Sequence, residues 1–331
     1  MKKKWFSQLA ILVALVLLLL AACGGDDEGS NGDGDTSEGG GDPEMLTLVT
    51  GGTSGTYYPL GGEMATNINN NTDVQVDAIS SNASAENVLA IENGEAQLGF
   101  IQTDVIAHAV EGINAFDGEP VEKVQAIGSL YPETIQIVTT TDSGISSVED
   151  LAGKKVSVGA PGSGTYINAE QILEIHGMSM DDVEAQNLDF GESTGGIQDG
   201  NIDAAFITSG TPTGAVEGLA ASVDISIVPI AEDKVEELVE AYPYYASDVI
   251  TGGTYGGLDE DVQTVAVLAM LAVSSDLSEE LVYDMTKAIY DNADKISHAK
   301  GEFITIDSAL DGIGIDLHPG AQKYFDEQGV E

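Results

Sequence analysis

Leu46-Thr47-Leu48-Val49-Thr50-Gly51-Gly52-Thr53-Ser54-Gly55-Thr56-Tyr57-Tyr58-Pro59-Leu60-Gly61-Gly62 reads as a short apolar strand, a loop of small residues and the start of a helix. Leu60, Met64 and Ile68 continue that helix at i, i+4 and i+8. Such an order of elements suits an anion, because free backbone N–H groups and the positive end of the helix dipole face the loop. The glycines allow close backbone approach, and the hydroxyls add donors. An ordinary βα turn in which Thr56 caps the helix would use the same residues.

The motif returns further on. Lys155-Val156-Ser157-Val158-Gly159 predicts a strand, and Ala160-Pro161-Gly162-Ser163-Gly164-Thr165-Tyr166 a loop entering a helix through Ile172 and Leu173. Ser54-Gly55-Thr56-Tyr57 and Ser163-Gly164-Thr165-Tyr166 are the same four letters. A second echo follows in the same order, Ile91-Glu92-Asn93-Gly94 with Phe100-Ile101 against Ile197-Gln198-Asp199-Gly200 with Phe206-Ile207. Two similar lobes explain both echoes.

Between and beyond them, strands are expected at Val74–Ile79, Leu98–Ile101, Ala126–Leu130, Ile135–Thr139 and Thr264–Val273. Tyr131-Pro132-Glu133 separates two of these strands. Helices are expected from Ala85 to a Gly94 stop, over Glu279–Ala293 and at the C-terminus, and Tyr242-Pro243-Tyr244-Tyr245 with Thr251 to Gly256 read as a turn-rich passage. Alternating strands and helices argue for parallel sheets in an α/β fold, whose ligands bind beyond the carboxyl ends of the strands. One rim then holds Gly52 to Tyr58, Ser80 to Ser84 and Gln102 to Asp104. The other holds Gly162 to Tyr166, Phe190 to Thr194 and Thr208 to Gly210. Tyr57, Tyr58, Tyr131 and Tyr166 are the aromatic residues expected to pack on a ligand or, equally, in the core.

The front of the chain is a leader rather than fold. Lys2-Lys3-Lys4 precedes an apolar run over Leu9–Leu20, and Leu20-Ala21-Ala22-Cys23 has the form of a lipobox. Residues 1–22 thus read as a lipoprotein signal peptide with the lipid on Cys23, the chain's one cysteine; a secretory leader with a chance cysteine is the alternative. Residues 23–44, rich in Gly and Asp, read as an acidic, disordered tether. The expected location is extracytoplasmic, on the cell membrane.

The 331 residues carry 56 acids against 11 lysines and no arginine, a net charge of −45. Acids spread along the whole chain fit a saline or alkaline exterior, or else a cationic ligand. Nucleic acid and anionic surfaces are excluded as partners. His108, His176, His298 and His318 lack metal-ligand spacing, neither loop carries a Walker lysine, and no nucleophile elbow appears, so no metal, cofactor or enzymatic activity is expected. Without arginine, an anion must be held by backbone N–H groups, hydroxyls, Gln102 or a lysine.

Thr50 to Gly61, Gly128-Ser129-Leu130-Tyr131-Pro132-Glu133 and Val156 to Thr165 carry a family resemblance, joined by Asp203-Ala204-Ala205-Phe206, Val265-Ala266-Val267 and Leu317-His318-Pro319-Gly320-Ala321. Over residues 45–331 the chain resembles the TAXI proteins, solute receptors of tripartite ATP-independent periplasmic (TRAP) transporters. The resemblance implies a type II periplasmic-binding-protein fold, α/β with two lobes of mixed, mainly parallel sheets and a hinge of crossing strands. Residues 45–130 with 246–331 would form one lobe and 131–245 the other. It implies capture of a small carboxylate, glutamate- or 2-oxoglutarate-like, and delivery to TRAP membrane subunits fused into one chain. An enzyme or a sensory domain on the same fold is the alternative.

On this reading Gly52, Thr53, Ser54, Gly55, Tyr57 and Tyr58 contact the solute from the first loop. Ser81, Ser84, Gln102, Thr103 and Asp104 join them from the same lobe. Tyr131 lies between the lobes, and Ser163, Gly164, Thr165, Tyr166 and Thr208 face them from the other. Ser54 stands where many relatives have Gly, which adds a hydroxyl.

Overall fold

Period-two alternation of apolar residues builds the sheet, and each face is then covered by helices. The computed structural model describes residues 41–116 and 118–330. The expected leader, Cys23 and most of the 23–44 tether lie outside the described residues. β1 (Met45–Val49) lies between β2 (Gln75–Ile79) and β3 (Leu98–Gln102), all parallel. β3 pairs antiparallel with the second half of β10 (Val262–Ser274), and β10 runs antiparallel along β4 (Val124–Thr140). The far half of β4 pairs with β7 (Ala204–Ser209) and β8 (Ile225–Val228). Parallel β5 (Lys155–Ser157) and β6 (Glu184–Gln186) complete that wing, and β9 (Ala246–Ile250) pairs with the first half of β10.

The two wings form two lobes, each a sheet with helices on both faces, as expected for α/β chains. In the first lobe, α1 (Tyr57–Asn71), α8 (Glu279–Tyr290) and α9 (Pro319–Gln328) cover one face. α2 (Ser84–Glu92) and α3 (Thr103–Glu111) cover the other. In the second, α4 (Gly164–Ile175) and α7 (Glu232–Ala241) lie opposite α5 (Phe190–Gln198) and α6 (Gly214–Ala220). The alternation is strict along β10: Leu271 and Val273 join the α1 side while Met270 and Ala272 join the α2 side. Leu60, Met64 and Ile68 are fully buried, as their spacing predicts. No described helix is long and apolar enough to cross a membrane.

One expectation is corrected. Tyr131-Pro132-Glu133 does not separate two strands; β4 is one strand of 17 residues through both lobes. Tyr131 faces Ala269 and Ser129 faces Met270, so Leu130 is an extra residue, a bulge that bends the strand without ending it. Pro132, just past the bulge, costs one N–H where the ladder is already irregular. Phe190 to Thr194 forms the start of α5, fixed by a capping box between Asp189 and Glu192. Tyr242-Pro243-Tyr244-Tyr245 and Thr251 to Gly256 are turns, as expected, with β9 between them.

The two sequence echoes have different fates. Asn93-Gly94 and Asp199-Gly200 both close a helix, each glycine at positive φ, and both lead to a buried Phe in a strand. The Ser-Gly-Thr-Tyr repeats enter their helices two residues apart in phase: Thr56 is the N-cap of α1, whereas Ser163 is the N-cap of α4. Ser163 Oγ accepts the Tyr166 N–H at 3.3 Å, so neither Thr56 nor Thr165 makes the capping bond that the bare sequence proposes.

Candidate functional site

The strand ends of the two lobes meet across a cavity of about 390 Å³. The lobes touch directly around it. The Thr56 N–H donates to Ser209 Oγ at 3.2 Å, and the Ser209 hydroxyl donates on to Thr56 Oγ1 at 3.0 Å. Ala85 N–H reaches Gly162 O at 3.0 Å, and Ala215 N–H reaches Ser54 O at 3.1 Å. Behind them Asn168 on α4 donates to Asp104 at the start of α3, at 2.8 Å, and accepts from the Thr208 hydroxyl at 2.9 Å. These bonds join the two lobes around the cavity.

Gly52, Thr53, Gly55 and Tyr57 line the cavity from the first loop. Ser81, Ser84 and Gln102 line it from neighbouring strand ends, and Ser163, Gly164, Thr165 and Thr208 from the second lobe. The remaining expected residues stand elsewhere. Ser54 is spent on the lobe contact, where its hydroxyl lies against Gly191. Tyr58, one helical step from Tyr57, turns outward and is 38% exposed. Thr103 is buried, its hydroxyl accepting from Leu268 N–H at 3.4 Å. Tyr166 packs against the core of the second lobe. Asp104 and Tyr131 lie behind the wall.

The residue that sequence reasoning missed is Glu133. It lines the cavity from β4 and is only 2% exposed. The Tyr57 hydroxyl donates to its Oε2 at 2.8 Å and the Tyr131 hydroxyl to its Oε1 at 3.2 Å. Gln102 also reaches it. The register explains the gathering: Gln102 on β3 and Tyr131 on β4 flank the same residue, Ala269, on β10. Glu133 stood in the sequence beside Pro132, in a motif read as a break between strands and as part of the family resemblance. Ser209, Phe190, Asp189 and Glu86 also line the cavity without having been singled out as contacts.

Burial dominates the electrostatics. It pushes Glu133 up to about 7, against the donors Tyr57, Gln102 and Tyr131, with the nearby Asp104 charge adding to the rise. Asp104 is likewise pushed up to about 7 by burial, offset by the Val105 N–H and by Asn168. The Tyr57 and Tyr131 phenols are pushed well above their ordinary value by burial and then by Glu133, so both remain donors. No group of three or more His, Cys, Asp or Glu fit to hold a metal occurs among the described residues. The cavity wall thus combines a buried carboxyl, several hydroxyls and the N-terminus of α4, groups that can hydrogen-bond a small polar molecule.

The chain matches the NMT1-like family over residues 48–329. Among solved structures, a protein from Bordetella bronchiseptica RB50 superposes with a TM-score of 0.54 at 18% identity, over 87% of this chain and 81% of that one. A structure described as a periplasmic transporter gives 0.53 at 11% identity, over 86% and 94%. The periplasmic aliphatic sulphonate binding protein SsuA from Escherichia coli gives 0.45 at 14% identity, over 86% and 79%. At these identities the first two likenesses are of fold, the two-lobed α/β architecture of periplasmic binding proteins.

Proposed function

The chain belongs to the NMT1-like family, and from that premise we propose that it is an extracytoplasmic solute receptor. One observation carries the reading: a single cavity takes its walls from both lobes, so a solute that fills it bonds to each and favours the closed form. The similar structure described as a periplasmic transporter supports the same role.

The solute we propose is a small carboxylate, glutamate- or 2-oxoglutarate-like, with its anionic end at the N-terminus of α4 beside Ser163 and Thr165. The membrane partner we propose is a TRAP-type secondary transporter, on the strength of the sequence resemblance, with a lipid on Cys23 holding the receptor near it. In this assignment residues 45–130 with 246–331 and residues 131–245 are the two lobes, and the protein binds without turnover.

A thermal-shift screen of small mono- and dicarboxylates, followed by calorimetry and by chromatography of the recovered solute, tests the proposal. A stabilising solute recovered unchanged is expected. Chemical conversion of the solute would overturn the receptor reading, and a screen in which no carboxylate stabilises the protein would overturn the solute class.

A further inference from the structure

We infer that the junction of the two lobes is proton-coupled at Asp104: parting α3 from α4 ionises this carboxyl, so protons hold the lobes together and a rising pH loosens them. The inference concerns the seam behind the cavity and needs no solute, so it stands or falls apart from the receptor reading.

α4 is rooted in the core of the second lobe, yet its first two turns lie on the first lobe. Gly162 O, just ahead of the helix, accepts the Ala85 N–H at 3.0 Å. Gly164 lies against Gln102 and Val105, Ile167 joins the core beneath α2 and α3, and Asn168 meets Asp104. Gly164, Ile167, Asn168 and Gln171 recur at the spacing of one helical face.

The hydrogen bonds along that face have a direction. Asn168 spends one amide hydrogen on Asp104 Oδ2 at 2.8 Å and the other on Tyr245 Oη at 2.8 Å, while its own oxygen accepts the Thr208 hydroxyl. Tyr245 donates on to Gln171 Oε1 at 2.7 Å and Gln171 to Tyr244 Oη at 2.7 Å. Tyr244 Oη in turn lies 3.2 Å from His108 Nε2, one turn along α3 from Asp104. A connected set of bonds thus runs from Thr208 on the cavity wall along the seam to α3.

Asp104 is the one carboxyl in this set. It has no exposed surface, and its Oδ1 is buried without a hydrogen-bond partner. None of the four ion pairs among the described residues involves it. The ionisable groups that face it are Glu133 on β4, Tyr57 on α1, and Tyr244 and Tyr245 ahead of β9. On its own helix stand His108 and, further along, Glu111. α4 offers it only the Asn168 and Gln171 amides, and β7 the Thr208 hydroxyl. Burial holds His108 below its ordinary value, so the imidazole supplies no counter-charge at neutral pH.

A carboxylate buried without a cation is costly, whereas the neutral carboxyl is tolerated. Burial accordingly pushes Asp104 up to about 7. When the helices part, water reaches the group and its ordinary acidity returns. The joined lobes therefore bind a proton that the parted lobes give up. Between about pH 4 and pH 7, each unit of pH shifts the balance up to about tenfold toward parting. Glu133, buried in the cavity wall, has the same sign, so the two carboxyls must be told apart.

The test is small-angle scattering on the intact protein without added solute, at about pH 5.5 and about pH 8. Sodium chloride at about 1 M screens repulsion among the surface acids. The unmodified protein should show the larger radius at the higher pH. Asp104→Asn keeps the shape of the side chain and cannot ionise, so it should hold the smaller radius at both. A radius of the unmodified protein that does not change, or an Asp104→Asn variant that expands as the unmodified protein does, overturns the inference. Glu133→Gln is an independent arm: expansion that persists in it supports Asp104, and expansion that disappears assigns the response to Glu133 and overturns the inference. The unmodified protein and Glu133→Gln decide even where Asp104→Asn fails to fold.

Discussion

Tyr57, the first residue of α1, donates its hydroxyl to Glu133 on β4 at 2.8 Å, tying a lobe's helix to the strand that crosses between lobes. The ring also packs on Phe100 at 4.9 Å, so Tyr57→Phe removes the donor and keeps the packing. The variant should weaken solute binding by about tenfold and lower stability by about 1–2 kcal/mol, as expected for a lost hydrogen bond to a charged group. Calorimetry and urea unfolding read the two effects. Unchanged affinity would mean that Glu133 needs no help from Tyr57.

Gly164 faces Gln102 so closely that a Cβ there would overlap the carboxamide. Gly164→Ala should therefore push Gln102 out of place and raise the dissociation constant at least about tenfold. Alanine favours the helix that begins at this residue, so unfolding should not explain the loss. Circular dichroism beside the binding isotherm separates the two.

Burial pushes Glu133 and Asp104 up to about 7 from ordinary values of 4.5 and 3.8. Their folded values are raised, so the folded state holds more protons between the two values and stability falls as pH rises through that window. For Glu133 the fall is on the order of 3 kcal/mol between about pH 4.5 and 7. Ordinary carboxylate repulsion has the same sign, so the diagnostic is Glu133→Gln, which should flatten the limb. A limb of unchanged slope in that variant would contradict the burial argument.

Asn168 joins the lobes through Asp104 and also bonds Tyr245 and Thr208. Asn168→Ala strands these partners and should cost about 2–4 kcal/mol, part of it as opening of the lobes. Small-angle scattering should show a larger radius for the unliganded variant, returning toward the closed value with solute. Identical scattering from both proteins would show that this contact does not hold the lobes together.

Four ion pairs form among the described residues of a chain with a net charge of −45, so most of the described acids lack an ion-pair partner. Raising sodium chloride toward 1 M shortens the screening length to about 3 Å and should raise the melting temperature by several degrees. A melting temperature that does not respond would assign the acidity no role in folding.

Much of this was legible because its signals are local. Gly52 to Thr56 and Ser163 to Thr165 announce a strand-to-helix turn in any context, and both reach the cavity. Glu133 was not legible, for two reasons. It is one of 56 acids, and the donors that single it out come from Tyr57, distant in sequence and brought close only by sheet register. Pro132 misled in the same place, since a bulge at Leu130 is a property of the β10 partner as much as of the residues themselves. The phase of Ser54-Gly55-Thr56-Tyr57 failed for a related reason: the Thr56 hydroxyl makes its bonds across the lobes, to Ser209 and Gly210, instead of to its own helix.

The bulge at Leu130 also bears on the order of events in capture. When two bodies part about shared strands, points near the fulcrum travel least and points at the mouth travel most. Glu133 is buried three residues past that bend, whereas Thr53 and Asn82, which also line the cavity, are exposed on the loops. In the receptor we propose, an arriving solute therefore finds Glu133 already in position and meets these loops only as they swing in.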